Sequence, residues 1–117
     1  MLRVNNNDIQ LTRGDSADLL LTISNTITGD GYTPVSGDVV RLTIRRSTHS
    51  EDAVIEMVQT LSEGEEITFS FAPEDTQSLD YGTYVYDIEL TTTDGSVYTI
   101  ITPSKFRLTE EVTFHGR

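Results

Sequence analysis

The segment DYGTYVYDIEL occupies residues 80–90, and it is the stretch that decides the fold class. From Tyr84 to Leu90, every second residue is aromatic or aliphatic, and most of the residues between them are polar. Successive side chains of a β-strand point to opposite faces of the sheet, whereas a helix would repeat every 3.6 residues. The alternation therefore predicts a strand with one buried face and one solvated face.

The beginning of this segment carries a second signal. Asp80, Gly82 and Tyr84 stand at alternate positions, and together they resemble the tyrosine corner of immunoglobulin-like domains. The resemblance implies that the Tyr84 hydroxyl bonds to the backbone just upstream and ties the start of the strand to the preceding turn. Tyr86 stands where that family places a disulfide cysteine, and since the chain has no cysteine, a disulfide-free variant is expected.

The same period-two alternation recurs on both sides of this segment. Clear examples lie at residues 9–11, 19–23, 40–44 and 67–71. Residues 53–61 alternate less regularly, which indicates a strand at the edge of a sheet. The sequence Pro73-Glu74-Asp75-Thr76 predicts a turn or a single helical turn, because proline suits the first helical position.

Turn residues separate the remaining segments. Asp94-Gly95 lies between two alternating stretches and predicts a tight hairpin into a strand at 97–102. Pro103 is expected to interrupt that strand, since proline donates no hydrogen bond to a ladder. A last strand resumes near Phe106 and Leu108. Arg13-Gly14-Asp15 predicts a turn between the first two strands, which explains this tripeptide without an adhesive role.

Seven or eight short strands in 117 residues predict one all-β domain spanning residues 1–117. The expected architecture is an immunoglobulin-like antiparallel β-sandwich, with a small β-barrel as the alternative. The absence of cysteine excludes disulfides and thiol chemistry. No apolar run exceeds three residues, so neither a signal peptide nor a transmembrane segment is expected.

The net charge of −11 is concentrated in the middle of the chain. Residues 51–92 hold eleven acidic residues and no Lys or Arg. Such a field repels phosphate backbones and anionic lipid, so neither nucleic acid nor a membrane is an expected partner. The acidic stretch is either a solvated face that keeps the protein in solution or a face that meets a basic partner or cations.

Side chains with catalytic potential are few. The two histidines, His49 and His115, have no histidine partner at metal-ligand spacing, and neighbouring carboxylates on a strand point to opposite faces. No enzymatic activity and no cofactor are therefore expected. Calcium is the one cation for which the sequence offers oxygen ligands, either from Asp30 in the glycine-rich loop or from Glu74, Asp75 and Asp80.

Taken in order, several segments together resemble a known family of small phage proteins from Gram-positive hosts. They are IQLTRGDS (9–16), VRLTIR (40–45), ITFSF (67–71), PEDT (73–76), GTYVYDIEL (82–90), DG (94–95) and FRLTEEVT (106–113). The series is similar to the immunoglobulin-like N-terminal domain of siphophage upper baseplate proteins, and it covers nearly the whole chain. The resemblance implies a virion component made in the bacterial host cytoplasm, which docks onto other tail or baseplate subunits as a structural protein.

Sheet edges are the expected contact surfaces, because unpaired strand edges bind neighbouring chains. The candidate residues are Val54, Glu56 and Val58 in the segment 53–60, and Val112 and Phe114 in the segment 106–114. A second copy of the chain is the other candidate partner. The alternative function is a carbohydrate- or surface-binding module, for which the available aromatic side chains are Tyr32, Tyr81 and Tyr98.

Overall fold

The computed structural model describes residues 2–5, 7–23 and 32–110. These residues form eight strands and one short helix. In chain order they are β1 (Leu2–Asn5), β2 (Asp8–Thr12), β3 (Ala17–Leu21), β4 (Val39–Arg45), β5 (Ala53–Thr60), β6 (Ile67–Phe71), α1 (Pro73–Gln77), β7 (Gly82–Thr91) and β8 (Val97–Thr109).

The strands form two sheets, and the all-β sandwich predicted from the sequence is confirmed. One sheet has six strands in the order β1-β2-β8-β7-β4-β5, and the other pairs β3 with β6. The expectation of purely antiparallel pairing is wrong at one place, since β2 and β8 run parallel, with Ile9 opposite Phe106 and Thr12 opposite Thr109. A parallel pair needs a long connection between its strands, and nearly the whole chain separates these two.

Alternating apolar side chains from both sheets meet in one core. On β7, Tyr84, Tyr86, Ile88 and Leu90 are all buried, as the alternation predicts. Phe71 of the two-stranded sheet stacks on Phe106 of the six-stranded sheet with ring centroids 5.8 Å apart. The buried residues of both sheets belong to one hydrophobic cluster, so burial across the layers holds them together.

Strand β8 differs from the sequence prediction because it does not stop at Pro103. It continues for 13 residues, from Val97 to Thr109. The register with β7 shifts where Ile88 lies opposite Ile101 and Tyr86 lies opposite Ser104. Pro103 lies within this irregularity, where the regular pairing with β7 is interrupted, so its lack of an N–H group is tolerated.

The edges of the six-stranded sheet correct a second expectation. Among the described strands, β5 pairs with β4 alone and is an edge strand, as the irregular alternation at 53–61 predicts. The described part of the C-terminal segment is not an edge, because Phe106–Thr109 lies between β2 and β7. Val112 and Phe114 lie outside the described residues. The other edge is β1, a short strand that the asparagine-rich start of the sequence did not indicate.

The short helix α1 forms where the sequence predicts a turn or a helical turn. Pro73 occupies its first turn, and the Asp75 carboxylate accepts a hydrogen bond from the backbone N–H of Ala72 at 2.7 Å. This bond satisfies one of the donors that the helix start leaves without a partner. Within the described residues, no helix has the length and apolar character needed to cross a bilayer.

Candidate functional site

The free side of β5 is the surface with the clearest capacity to bind another chain. Glu56 and Val58 lie two residues apart and are exposed, Val58 to 50%. Their neighbours on β4 are Thr43 opposite Glu56 and Arg41 opposite Val58. An apolar side chain that is half exposed beside unpaired backbone groups is a usual feature of a docking strand.

Val54 has a different position from the one predicted. The β4–β5 register shifts between Ile44 and Arg45, which face Ile55 and Ala53, so that Val54 is the extra residue of a β-bulge. Its side chain is partly buried and packs against the core. Val54 therefore lies in the bulge with its side chain against the core, and Glu56 and Val58 are the two candidate residues that stay exposed on this strand.

Gln59 closes the other end of this strand. Its side-chain oxygen accepts a hydrogen bond from the backbone N–H of Thr68 at 3.0 Å, and its amide nitrogen donates to the carbonyl of Glu66 at 3.2 Å. The side chain thereby joins β5 to the start of β6 across the seam between the two sheets. The bulge and this bridge delimit residues 53–58, which we call the open edge.

Acidic residues precede and follow the open edge along the chain. Glu65 is engaged within its own turn, since one carboxylate oxygen accepts from the N–H of Ser62 at 2.7 Å and the other accepts from Gln59 at 3.3 Å. The exposed carboxylates on and beside the edge are Glu51, Asp52, Glu56, Glu63, Glu65 and Glu66.

Two basic side chains lie near β2, at the other end of the six-stranded sheet. An open groove of about 730 Å³ lies over β2 and β8, and Lys105 and Arg107 are among its lining residues. The backbone N–H of Lys105 donates to the Asp8 carboxylate at 3.2 Å, which ties β8 to the start of β2. Lys105 and Arg107 thus lie near β2, whereas Arg41 and Arg45 lie on β4 directly beside β5.

The first half of β8 also has one side without a partner among the described strands. On β8, the pairing with β2 is confined to Phe106–Thr109, so residues 97–104 have β7 as their one described neighbour. Val97 and Tyr98 are more than half exposed here. Pro103 presents no N–H group, and a proline on an edge discourages the addition of a further strand.

The tyrosine-corner residues lie at the start of β7. The Tyr84 hydroxyl donates to the carbonyl oxygen of Asp80 at 2.8 Å, which is the bond of a tyrosine corner. Gly82 adopts φ of 142°, a conformation that L side chains rarely adopt. These residues shape the turn before β7, and their contacts are structural.

In the Arg13-Gly14-Asp15 turn, the Arg13 side chain and the Gly14 backbone make contacts within the protein. The Arg13 guanidinium donates to the Leu79 carbonyl at 3.1 Å and to the Tyr81 hydroxyl at 2.8 Å, and it lies 4.0 Å from the centre of the Tyr81 ring. The N–H of Gly14 donates to the Thr76 hydroxyl at 2.9 Å. The turn therefore binds α1 and the segment that leads into β7.

The three tyrosines considered for carbohydrate binding do not form one platform. Tyr81 directly precedes β7, whereas Tyr98 pairs with Leu90 near its other end, about 30 Å away at the rise of a strand. One face of the Tyr81 ring is covered by Arg13. Tyr32 is half-buried, and its hydroxyl donates to the buried Asp38 carboxylate at 2.5 Å. This bond, with burial, raises the pKa of Tyr32 to about 12.

The remaining candidates for chemistry are dispersed in the structure. His49 is exposed in the loop between β4 and β5, and His115 lies outside the described residues. Of the residues considered for calcium, Asp75 caps α1, Glu74 and Asp80 are exposed, and Asp30 lies outside the described residues. Within 2–5, 7–23 and 32–110, no three metal-ligating side chains converge.

Comparison of the chain with protein-family models and with curated proteins finds no match. The fold and the site together define a class of protein: an all-β sandwich whose six-stranded sheet ends, among the described strands, in an edge strand flanked by acidic segments.

Proposed function

We propose that this protein is a non-catalytic structural and interaction module of a phage or prophage tail or baseplate, where it docks onto other subunits. The resemblance of its ordered segments to siphophage upper baseplate domains supports the phage assignment. The single observation that carries the interaction role is the open edge of β5, where Val58 is 50% exposed on a strand whose outer side no other described strand pairs with.

The physical basis of this role is the unsatisfied hydrogen-bonding capacity of an edge strand. Monomeric proteins avoid pairing through such strands because their edge strands are short, twisted by bulges, covered by other elements or charged. β5 has a bulge at one end and Glu56 in its middle, which limits uncontrolled pairing, but its eight residues are long for an edge strand. A weak contact of this kind becomes strong when a symmetric particle repeats it many times.

Electron microscopy of labelled particles tests the phage role directly. Phage particles from the host that encodes the gene are purified on a density gradient and labelled with gold-coupled antibody against this chain. The proposal expects gold at one fixed position on the tail, and particles from a strain lacking the gene serve as the control. Purified particles that contain none of the protein by immunoblot would show the assignment to be wrong.

A further inference from the structure

We propose that the open edge of β5 binds an extended basic segment of a different protein, which pairs with residues 53–58 as an added strand. This inference deepens the proposed role as an interaction module, because it names the chemistry of the partner. The segment would carry Lys or Arg opposite Glu56 and an apolar residue opposite Val58.

The backbone supplies the first part of the argument. Residues 53–58 span about 20 Å at the rise of a β-strand, and among the described strands β4 is their neighbour on one side and none lies on the other. A peptide in extended conformation satisfies such an edge by main-chain hydrogen bonds, and alternate side chains then set which sequence binds. The Gln59 bridge to β6 marks where the added strand must end.

The side chains on and beside the open edge indicate that the partner's segment is positively charged. Glu56 lies directly opposite Thr43 across the β4–β5 ladder, and its diagonal neighbours Arg41 and Arg45 lie on β4, on the side away from the added strand. Exposed carboxylates continue at both ends of the edge, at Glu51 and Asp52 before it and at Glu63 after it. Opposite charges placed directly across two strands stabilise a sheet, and like charges destabilise it, so a basic segment fits this edge.

The same charges argue against a second copy of the chain as the occupant. Antiparallel pairing of β5 with its own copy about Glu56 would place the two Glu56 carboxylates side by side. It would also bring Glu51 and Asp52 of one copy towards Glu63 of the other. Like-charge contacts of this kind suppress wrong pairings.

The test is peptide binding to the isotope-labelled full chain, followed by NMR, which detects weak complexes. The probe is the end-capped peptide Thr-Val-Thr-Lys-Thr-Val-Thr, and its matched control has Glu in place of Lys. We expect the Lys peptide to shift the amide signals of residues 53–58 and of the facing β4 residues. Its affinity should fall as salt rises, because the contact is between exposed charges.

A charge reversal in the protein sharpens the test. Glu56→Lys should weaken binding of the Lys peptide at least about tenfold and strengthen binding of the Glu peptide. Glu74→Lys makes the same change of net charge at an exposed position on α1, away from β5, and should change the affinity less than about twofold. Circular dichroism shows whether both variants keep the fold.

Three results would overturn the inference. They are equal binding of the Lys and Glu peptides, shifts that map to residues 97–104 of β8 instead of β5, and light scattering that shows the chain alone dimerising through β5. The peptide assay uses purified protein, so its failure leaves gold labelling of particles standing as support for the phage role. Conversely, particles without gold label would contradict the phage role but not the binding of a basic segment at β5.

Discussion

At the scale of single residues, the hydroxyl of Tyr84 holds the turn before β7 in place. The ring is buried, and the hydroxyl reaches back four residues to the carbonyl of Asp80. Tyr84→Phe removes this bond and keeps the ring, so we expect the free energy of unfolding to fall by about 1 kcal/mol. Urea unfolding measures the loss. Tyr98 is exposed, so Tyr98→Phe is the matched control and should change the free energy of unfolding by less than about 0.5 kcal/mol. An equal effect in both variants would contradict a stabilising role of the bond between the Tyr84 hydroxyl and the Asp80 carbonyl.

Tyr86 makes the stability sensitive to high pH. Burial, with a smaller effect of the Asp8 charge, raises its pKa to about 12, from 10.0 for an unperturbed tyrosine. The folded chain therefore binds this proton more tightly than the unfolded chain does. The stabilisation is complete below pH 10 and is lost as the pH rises towards 12.

Urea unfolding at several pH values checks this linkage. The free energy of unfolding should fall between pH 10 and 12, and it should fall less steeply in Tyr86→Phe, which has no proton to lose. Tyr32→Phe should reduce the slope as well, since the bond to Asp38 and burial raise the pKa of Tyr32 to about 12. Identical slopes in the wild type and Tyr86→Phe would disprove the role of Tyr86.

At the scale of elements, α1 depends on the turn between β2 and β3. A helix of five residues is too short to be stable alone. Thr76 is fully buried, and its hydroxyl accepts the N–H of Gly14. Thr76→Val keeps the shape but leaves that N–H without a partner, so we expect a loss of about 1–3 kcal/mol in urea unfolding. Thr76→Ser keeps the hydroxyl and should retain more of the stability than Thr76→Val; the reverse order would refute the role of the bond.

The elements themselves follow from local patterns in the sequence, whereas their pairing does not. Alternation locates β4, β6 and β7, because burial of one face requires it. It says nothing of the neighbouring strand, so it could not reveal that Phe106 lies between β2 and β7. The tyrosine-corner residues are close in sequence and could be recognised, while the Gln59 bridge and the bulge at Val54 depend on the placement of other strands.

At the scale of the whole molecule, the excess of negative charge lowers the stability of the folded state. The net charge is −11, and the stretch 51–92 contains no Lys or Arg to offset its acids. Carboxylates of like charge repel one another in the compact state, and added salt screens this repulsion. We expect the melting temperature to rise as sodium chloride increases from low to moderate concentration.

Differential scanning calorimetry measures this dependence. Glu56→Lys and Glu74→Lys each reduce the excess negative charge at an exposed site and should show a smaller rise of the melting temperature with salt. A melting temperature that falls as salt is added would mean that attractive charge pairs outweigh the repulsion.

The parallel pairing of β2 with β8 also determines how the molecule responds to mechanical force. Tension that pulls β2 from its Asp8 end and β8 from its Thr109 end acts in opposite directions along two neighbouring strands. Such a load shears the ladder, so its hydrogen bonds must yield together, whereas the antiparallel β1–β2 hairpin can open one pair at a time. Under stretching, the β1–β2 hairpin therefore yields first, and the β2–β8 pair acts as a clamp across the rest of the sandwich.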